Sequence, residues 1–186
     1  EIFHPKENYP VKYDILFMGN MGYPPNINAV MFLANDILPL VIKQKPHIRL
    51  LVAGVQAPAR VKKLQSANID VIEHFENISD SIAVSKIMLA PMLLSIGLQN
   101  KIIQAMAMKK PCIVSKISNN AIKAPHPQAI LEAETAEEFA AGILDLLDNE
   151  IKAKQIGEAG YRYVTEHFSW PAQTKLLSGL FSRSGL

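Results

Sequence analysis

Ala90-Pro91-Met92-Leu93-Leu94-Ser95-Ile96-Gly97-Leu98-Gln99-Asn100-Lys101-Ile102-Ile103-Gln104-Ala105-Met106-Ala107 is the stretch that decides the fold. An apolar run ends at Pro91, a short loop containing Gly97 follows, and Gln99, Asn100 and Lys101 open a helix. A strand, a loop and a helix N-terminus in that order make an anion site. The first N–H groups of a helix lack partners inside it, and the helix dipole favours negative charge there. A phosphate ester is the ligand class this suggests. Leu98, Ile102, Ala105 and Met106 recur at helical spacing and give the helix one side that packs on a sheet. Lys101 lies in the first turn, where a cation opposes the dipole. Two readings of it stand at this point: a cation set beside a bound anion, or a lysine pointing into water.

Outward from this stretch, short apolar runs alternate with amphipathic segments. Strands are expected at residues 14–18, 48–53, 69–72, 86–90, 111–115 and 129–131. Helices are expected after a cap at Asn26, at 58–67, 79–84 and 97–108, and then at 135–147, 150–167 and 170–181. The Asn26 helix carries Val30, Leu33, Ile37 and Leu38 on one side, and Pro39 should end or kink it. Thr135 with Glu138 three residues on is a capping-box pattern. Alternating strands and helices imply a parallel sheet covered on both faces, and the unbroken run Leu50-Leu51-Val52-Ala53 fits such burial. The expected fold is therefore α/β: a doubly wound, six-stranded, Rossmann-like parallel sheet in the order 3-2-1-4-5-6, with extra helices at the C-terminus. In that order strands one and four are neighbours, and ligands bind where their carboxyl ends diverge. The loops there are 19–22 and 91–101, so the opening stretch falls on the site that topology selects.

Composition narrows the classes. A chain of 186 residues suits one domain with its own core. The net charge of +2, without a Lys/Arg block, gives no reason to expect nucleic acid as a partner. Cys112 is the single cysteine, set in an apolar run, so no disulfide framework or zinc cluster is expected. The apolar segment 29–42 is broken by Asn35, Asp36 and Pro39, so no membrane span is expected, and no signal peptide is legible. The polar, Pro-containing lead reads as a linker over residues 1–13, which suggests a domain taken from a longer protein.

Other chemistries find little support. The five histidines are scattered without metal-ligand spacing. No acidic cluster follows strand one, which argues against a phospho-receiver domain. Ser115 and Ser118 follow strand five without a G-x-S-x-G elbow, so a hydrolase is not expected. Trp170 reads as an anchor for the last helix rather than a stacking platform.

The residues also carry a family pattern. Phe17-Met18-Gly19-Asn20-Met21 with Tyr23, Pro25-Asn26 and Ala29-Val30 resembles the first strand and loop of the C-terminal, donor-binding domain of group 1 (family 4) glycosyltransferases of the GT-B type. Val52-Ala53-Gly54 resembles the second strand. Gly97-Leu98-Gln99-Asn100-Lys101 with Ala105-Met106-Ala107 and Pro111 is similar to the most specific family motif, and Phe168-Ser169-Trp170 to the start of its last helix. The nearest subgroup by resemblance is the sugar transferases of exosortase and exopolysaccharide gene clusters.

The resemblance implies sugar transfer from a nucleotide diphosphate donor to an acceptor hydroxyl, with retention at the anomeric carbon, no essential metal and no further cofactor. By position, Gly19 and Asn20 would approach the diphosphate or the sugar. The N–H groups of Leu98, Gln99 and Asn100, in the loop that starts at Gly97 and runs to Lys101, would hold a phosphate. Gln104 would meet the ribose hydroxyls, and His74 and Phe75 would border the base. Residues 14–168 would form the donor-binding domain, and 169–186 a helix packing toward an N-terminal domain outside this sequence. Implied partners are the nucleotide-sugar donor and that domain, through which any peripheral membrane contact would run. The implied location is the cytoplasm of a bacterial-type cell.

The pattern is incomplete. The family usually has two glutamates with seven residues between them, which correspond here to Ile96 and Gln104. The nearer subgroup has basic residues where Leu93 and Ile96 stand. An amide oxygen is a weaker acceptor than a carboxylate, and such a loss costs ~1–3 kcal/mol. Two readings follow: a transferase domain with a different donor, or a non-catalytic nucleotide or nucleotide-sugar binding module with a degenerate site.

Overall fold

A computed structural model describes residues 3–6, 9–94 and 97–168. Six strands form one wholly parallel sheet in the order β3-β2-β1-β4-β5-β6. They are β1 (Tyr13–Met18), β2 (Leu50–Ala53), β3 (Ile69–Ile72), β4 (Ser85–Ala90), β5 (Cys112–Ser115) and β6 (Leu131–Ala133). This is the doubly wound order expected from the sequence. The register sets Phe17 beside Val52 and Leu16 beside Met88. All four residues of β2 and of β5 are buried, because helices cover both faces. Removing one such aliphatic side chain from water contributes roughly 1.5–3 kcal/mol.

The helices are α1 (Pro24–Phe32), α2 (Leu38–Ile42), α3 (Ala59–Lys62), α4 (Ile78–Ala83), α5 (Asn100–Ala107), α6 (Lys116–Ile122), α7 (Ala136–Asp148) and α8 (Glu150–Phe168). Thr135 caps α7 with the expected reciprocal bonds to Glu138. Three expectations are corrected. Asn26 does not cap the first helix: α1 begins two residues earlier with prolines in its first turn, and Asn26 is buried inside it. Proline is pre-set for a helical first turn, and this moves the start forward.

Pro39 does not end that helix; of ending or kinking, the ending is overturned. A π-helical turn, Leu33–Ile37, joins α1 to α2, with Leu38 N–H donating to Leu33 O. Pro39 has no N–H to give to the preceding turn, and the wider π-turn absorbs the mismatch. The resulting helix, Pro24–Ile42, is long and apolar enough to cross a membrane by length and composition alone. Here Leu33, Ile37, Leu38 and Val41 are completely buried in the core, with at most 1% exposed.

Third, a short helix, α6, follows β5 unforeseen. It is brief and polar, and its stop is Lys123 in the left-handed region at φ 60°. Boundaries also moved: α3 is shorter than expected, and β6 begins two residues later, where Leu131 meets Ile113. The expected helix 170–181 and the position of Ile96 lie outside the described residues.

Candidate functional site

The carboxyl ends of β1 and β2 meet through two glycines. Gly19 N–H donates to Ala53 O at 3.0 Å, and Gly54 N–H to Ile72 O at 3.0 Å. A Cβ on Gly54 would lie 1.7 Å from Gly19 O, and Gly54 has φ +154°. No other residue fits there. Past Gly19 the chain turns tightly. Asn20 Oδ1 accepts from Gly22 N–H at 2.7 Å, and Met21 N–H donates to Val55 O at 2.8 Å.

Against this turn lies a cavity of about 350 Å³, within the usual range of ligand pockets. Met18, Gly19 and Asn20 form one wall, and Gly54 and Val55 continue it. Glu73, His74, Phe75 and Ile78 close the side beyond β3, and Lys101 and Gln104 enter from α5. The cavity thus lies at the switch point. It collects Gly19, Asn20, His74, Phe75, Lys101 and Gln104 of the residues singled out in the sequence. Gly97, Leu98, Gln99 and Asn100 stand outside its wall, at the start of α5. Gly97 has φ +69°, and Leu98 is 43% exposed. The intrahelical bonds of α5 leave the N–H groups of Asn100 and Lys101 without a backbone acceptor in the helix, whereas Ile102 N–H reaches Gln99 O.

Lys101 is not a solvated lysine. Its Nζ donates to Asn26 Oδ1 at 2.5 Å, contacts Met92 Sδ at 3.5 Å and lies 4.6 Å from the Phe17 ring centroid. Among the described residues no carboxylate pairs with it. Burial pushes its pKa down to about 8. Glu73, the carboxylate among the described lining residues, is engaged elsewhere: it accepts from Ala57 N–H at 3.0 Å and pairs with Lys62 at 2.5 Å. The Lys62 ammonium, with help from the Ala57 amide, holds its carboxyl below the usual range. The Gln104 carboxamide makes no hydrogen bond among the described residues, so its oxygen and NH₂ are available to a ligand. Among the described residues, the cavity therefore pairs apolar lining with a lysine that has no carboxylate partner.

Sequence reasoning missed Glu73, Val55 and Ile78 as lining residues, and missed the inward side chain of Asn26. Glu73 adjoins His74 and could have been named with it; nothing in the sequence flags the others. Elsewhere, Ser115 and Ser118 hydroxyls bond each other at 3.0 Å, and Cys112 is fully buried. Among the described residues no group of three or more His, Cys, Asp or Glu is arranged to hold a metal.

A doubly wound parallel sheet with its cavity at the switch point defines a Rossmann-like class of domain. The family is then fixed by comparison: residues 12–149 match the family model described as "Glycosyl transferases group 1", and the chain belongs to that family. The fold matches GT-B glycosyltransferase structures. S. aureus TarM, solved as a mutant with Fondaparinux, alpha-GlcNAc-glycerol and UDP, superposes with a TM-score of 0.81 at 16% identity, over 97% of this chain and 38% of TarM. The C-terminal domain of the group 1 family glycosyl transferase LpcC from Francisella tularensis superposes with a TM-score of 0.72 at 19% identity, over 91% of this chain and 97% of that domain. A curated relative, an uncharacterized 44.6 kDa protein in the cps region of Klebsiella pneumoniae, is 23% identical over 95% of this chain. The chain spans about half of that relative's length, 49%.

Proposed function

We propose that this chain is the donor-binding domain of a retaining glycosyltransferase that takes a nucleotide diphosphate sugar and needs no metal. One observation carries the reading: a buried ammonium, Lys101, faces a switch-point cavity and pairs with no carboxylate among the described residues, the cavity's Glu73 being paired with Lys62. A diphosphate supplies that counter-charge, and a charge-assisted bond there is about twice as strong as a neutral one. Family membership and the UDP in the TarM complex support the same ligand class. In this reading Gly19 and Asn20 approach the diphosphate or sugar, and Lys101 pairs with a phosphate. The N–H groups of Leu98, Gln99 and Asn100 hold a phosphate, Gln104 meets the ribose, and His74 and Phe75 border the base.

The acceptor site and the remaining machinery belong to an N-terminal domain on the cytoplasmic side, and the cps-region relative supports a role in bacterial exopolysaccharide synthesis. An exposed apolar rim supports such a neighbour. Val55 at the cavity wall, and Leu93, Leu94 and Leu98 in the loop before α5, are 43–61% exposed. A domain alone is then expected to bind donor without turning it over.

Calorimetric titration with UDP, UMP and uridine tests the reading. UDP should bind most tightly, and Lys101→Met should abolish its advantage over uridine. Equal affinity for UDP and uridine would overturn it. The amide at Gln104, in place of a carboxylate, favours a second reading: a nucleotide-sugar binding module without catalysis. Turnover of a nucleotide sugar by the whole protein separates the two.

A further inference from the structure

The Asn26 side chain touches both the β1–α1 turn and α5 at the cavity. It is 7% exposed, in the first turn of α1. Its Nδ2 donates to Asn20 O at 2.8 Å, and its Oδ1 accepts from Lys101 Nζ at 2.5 Å. The amide has a single orientation that satisfies both partners, since a carbonyl needs a donor and an ammonium needs an acceptor. Reversing it would set NH₂ against the ammonium. The absence of a side chain at Gly19 is part of the same arrangement. A Cβ there would lie 2.8 Å from Asn26 Nδ2, so the bare backbone is what lets the carboxamide close on the turn. Asn20 completes the chain: its own side chain accepts from Gly22 N–H at 2.7 Å while its carbonyl holds Asn26.

We propose that Asn26 is a positioning residue: its carboxamide fixes the Lys101 ammonium and the 19–22 turn together, so that cation and turn form one preorganised anion receptor. Its use for a donor diphosphate rests on the function proposed above; the coupling itself does not. An aspartate at 26 would still hold Lys101, but as a fixed counter-charge that competes with any anion, and it would present no donor to Asn20 O. A serine would be too short to reach both. The other titratable groups at the cavity, Glu73 and His74, come from beyond β3, and Glu73 is tied to Lys62 and Ala57.

The test follows the Lys101 side-chain methylene resonance against pH in the chain as it stands, in wild type, Asn26→Asp and Asn26→Ser, together with backbone amide shifts and UDP affinity. In Asn26→Asp the Lys101 midpoint should rise from about 8 toward that of an ordinary lysine. UDP affinity should fall at least tenfold although Lys101 is retained. In Asn26→Ser the amides of residues 19–22 should shift, with a similar loss of affinity. A residue that serves stability alone would lower the unfolding midpoint and leave the Lys101 midpoint and the folded protein's UDP affinity unchanged, and that result overturns the proposal. Should neither variant fold, Lys101→Met decides: the Asn26 side-chain amide and Gly22 N–H must shift, and unmoved resonances refute the coupling. Should wild type bind no UDP, the proposed function fails, while the Lys101 midpoint and the amide shifts still decide the positioning role.

Discussion

The Lys101 ammonium lies 4.6 Å from the centroid of the Phe17 ring, at the seam between α5 and the end of β1. The ring face and the Asn26 carbonyl are partial compensation for leaving water, the ring being worth roughly 0.5–2 kcal/mol. Burial wins, since the pKa falls to about 8. The charged form is therefore held at a cost that an incoming anion can offset.

That cost predicts a stability that rises with pH. The unfolded state keeps the Lys101 proton up to its ordinary pKa, while the folded state releases it from about 8. Between these values the unfolded chain binds more protons, so stability climbs with pH. The contribution amounts to ~3 kcal/mol at most. Lys110, whose Nζ donates to Ala83 O and Ser85 O, is likewise pushed down to about 8 by burial and adds in the same direction. Burial pushes the Cys112 thiol up, and this works the other way at alkaline pH. Comparing urea unfolding of wild type and Lys101→Met isolates one group. The difference should move in favour of wild type from pH 7 to pH 10, and a constant difference would show that Lys101 is not desolvated.

A bound diphosphate should restore the ordinary lysine pKa. UDP affinity is then expected to decline above pH 8, by up to roughly tenfold per unit. Calorimetry at pH 8.5 in buffers of different ionisation enthalpy should register proton uptake on binding. Binding without proton uptake would place the diphosphate away from Lys101.

Gln104→Glu should tighten UDP binding. A carboxylate accepts from both ribose hydroxyls and forms stronger bonds than an amide, worth ~1–3 kcal/mol or about tenfold and upward in affinity. If the dissociation constant does not change, Gln104 does not meet the ribose.

Two glycines near the site should respond very differently to a methyl group. Gly54→Ala would set a Cβ 1.7 Å from Gly19 O, and a loss of more than ~3 kcal/mol is expected from such a backbone clash. Gly97 also has positive φ, +69°, but its Cβ would meet nothing within 4 Å. Gly97→Ala should cost only the left-handed conformation, ~1–2 kcal/mol. Urea unfolding of both variants measures the contrast, and similar losses would contradict the close approach of β1 and β2.

The sheet order was legible because parallel strands buried on both faces leave unbroken apolar runs such as residues 50–53, and strand alternation then fixes the topology. The loop–helix stretch at 91–107 located the switch point for the same reason. Three things were not legible. Asn26 looks like a cap because Asn favours caps, and only the packing of α1 shows that its prolines start the helix and turn its amide inward. The continuation past Pro39 depends on a π-turn, a tertiary accommodation without a local signature. The environment of Lys101 depends on Phe17 and Asn26, distant from it in sequence, and on Met92 just past β4, and these meet only when β1, α1 and the end of β4 converge.

The most direct measurement is a residue-resolved amide-shift titration of the chain with UDP. The account predicts saturable shifts at Gly19 and Asn20, across residues 97–101 and at Gln104, with smaller ones at His74 and Phe75. UDP-induced shifts confined to other surfaces, or none at residues 97–101 with any nucleoside diphosphate, would contradict it.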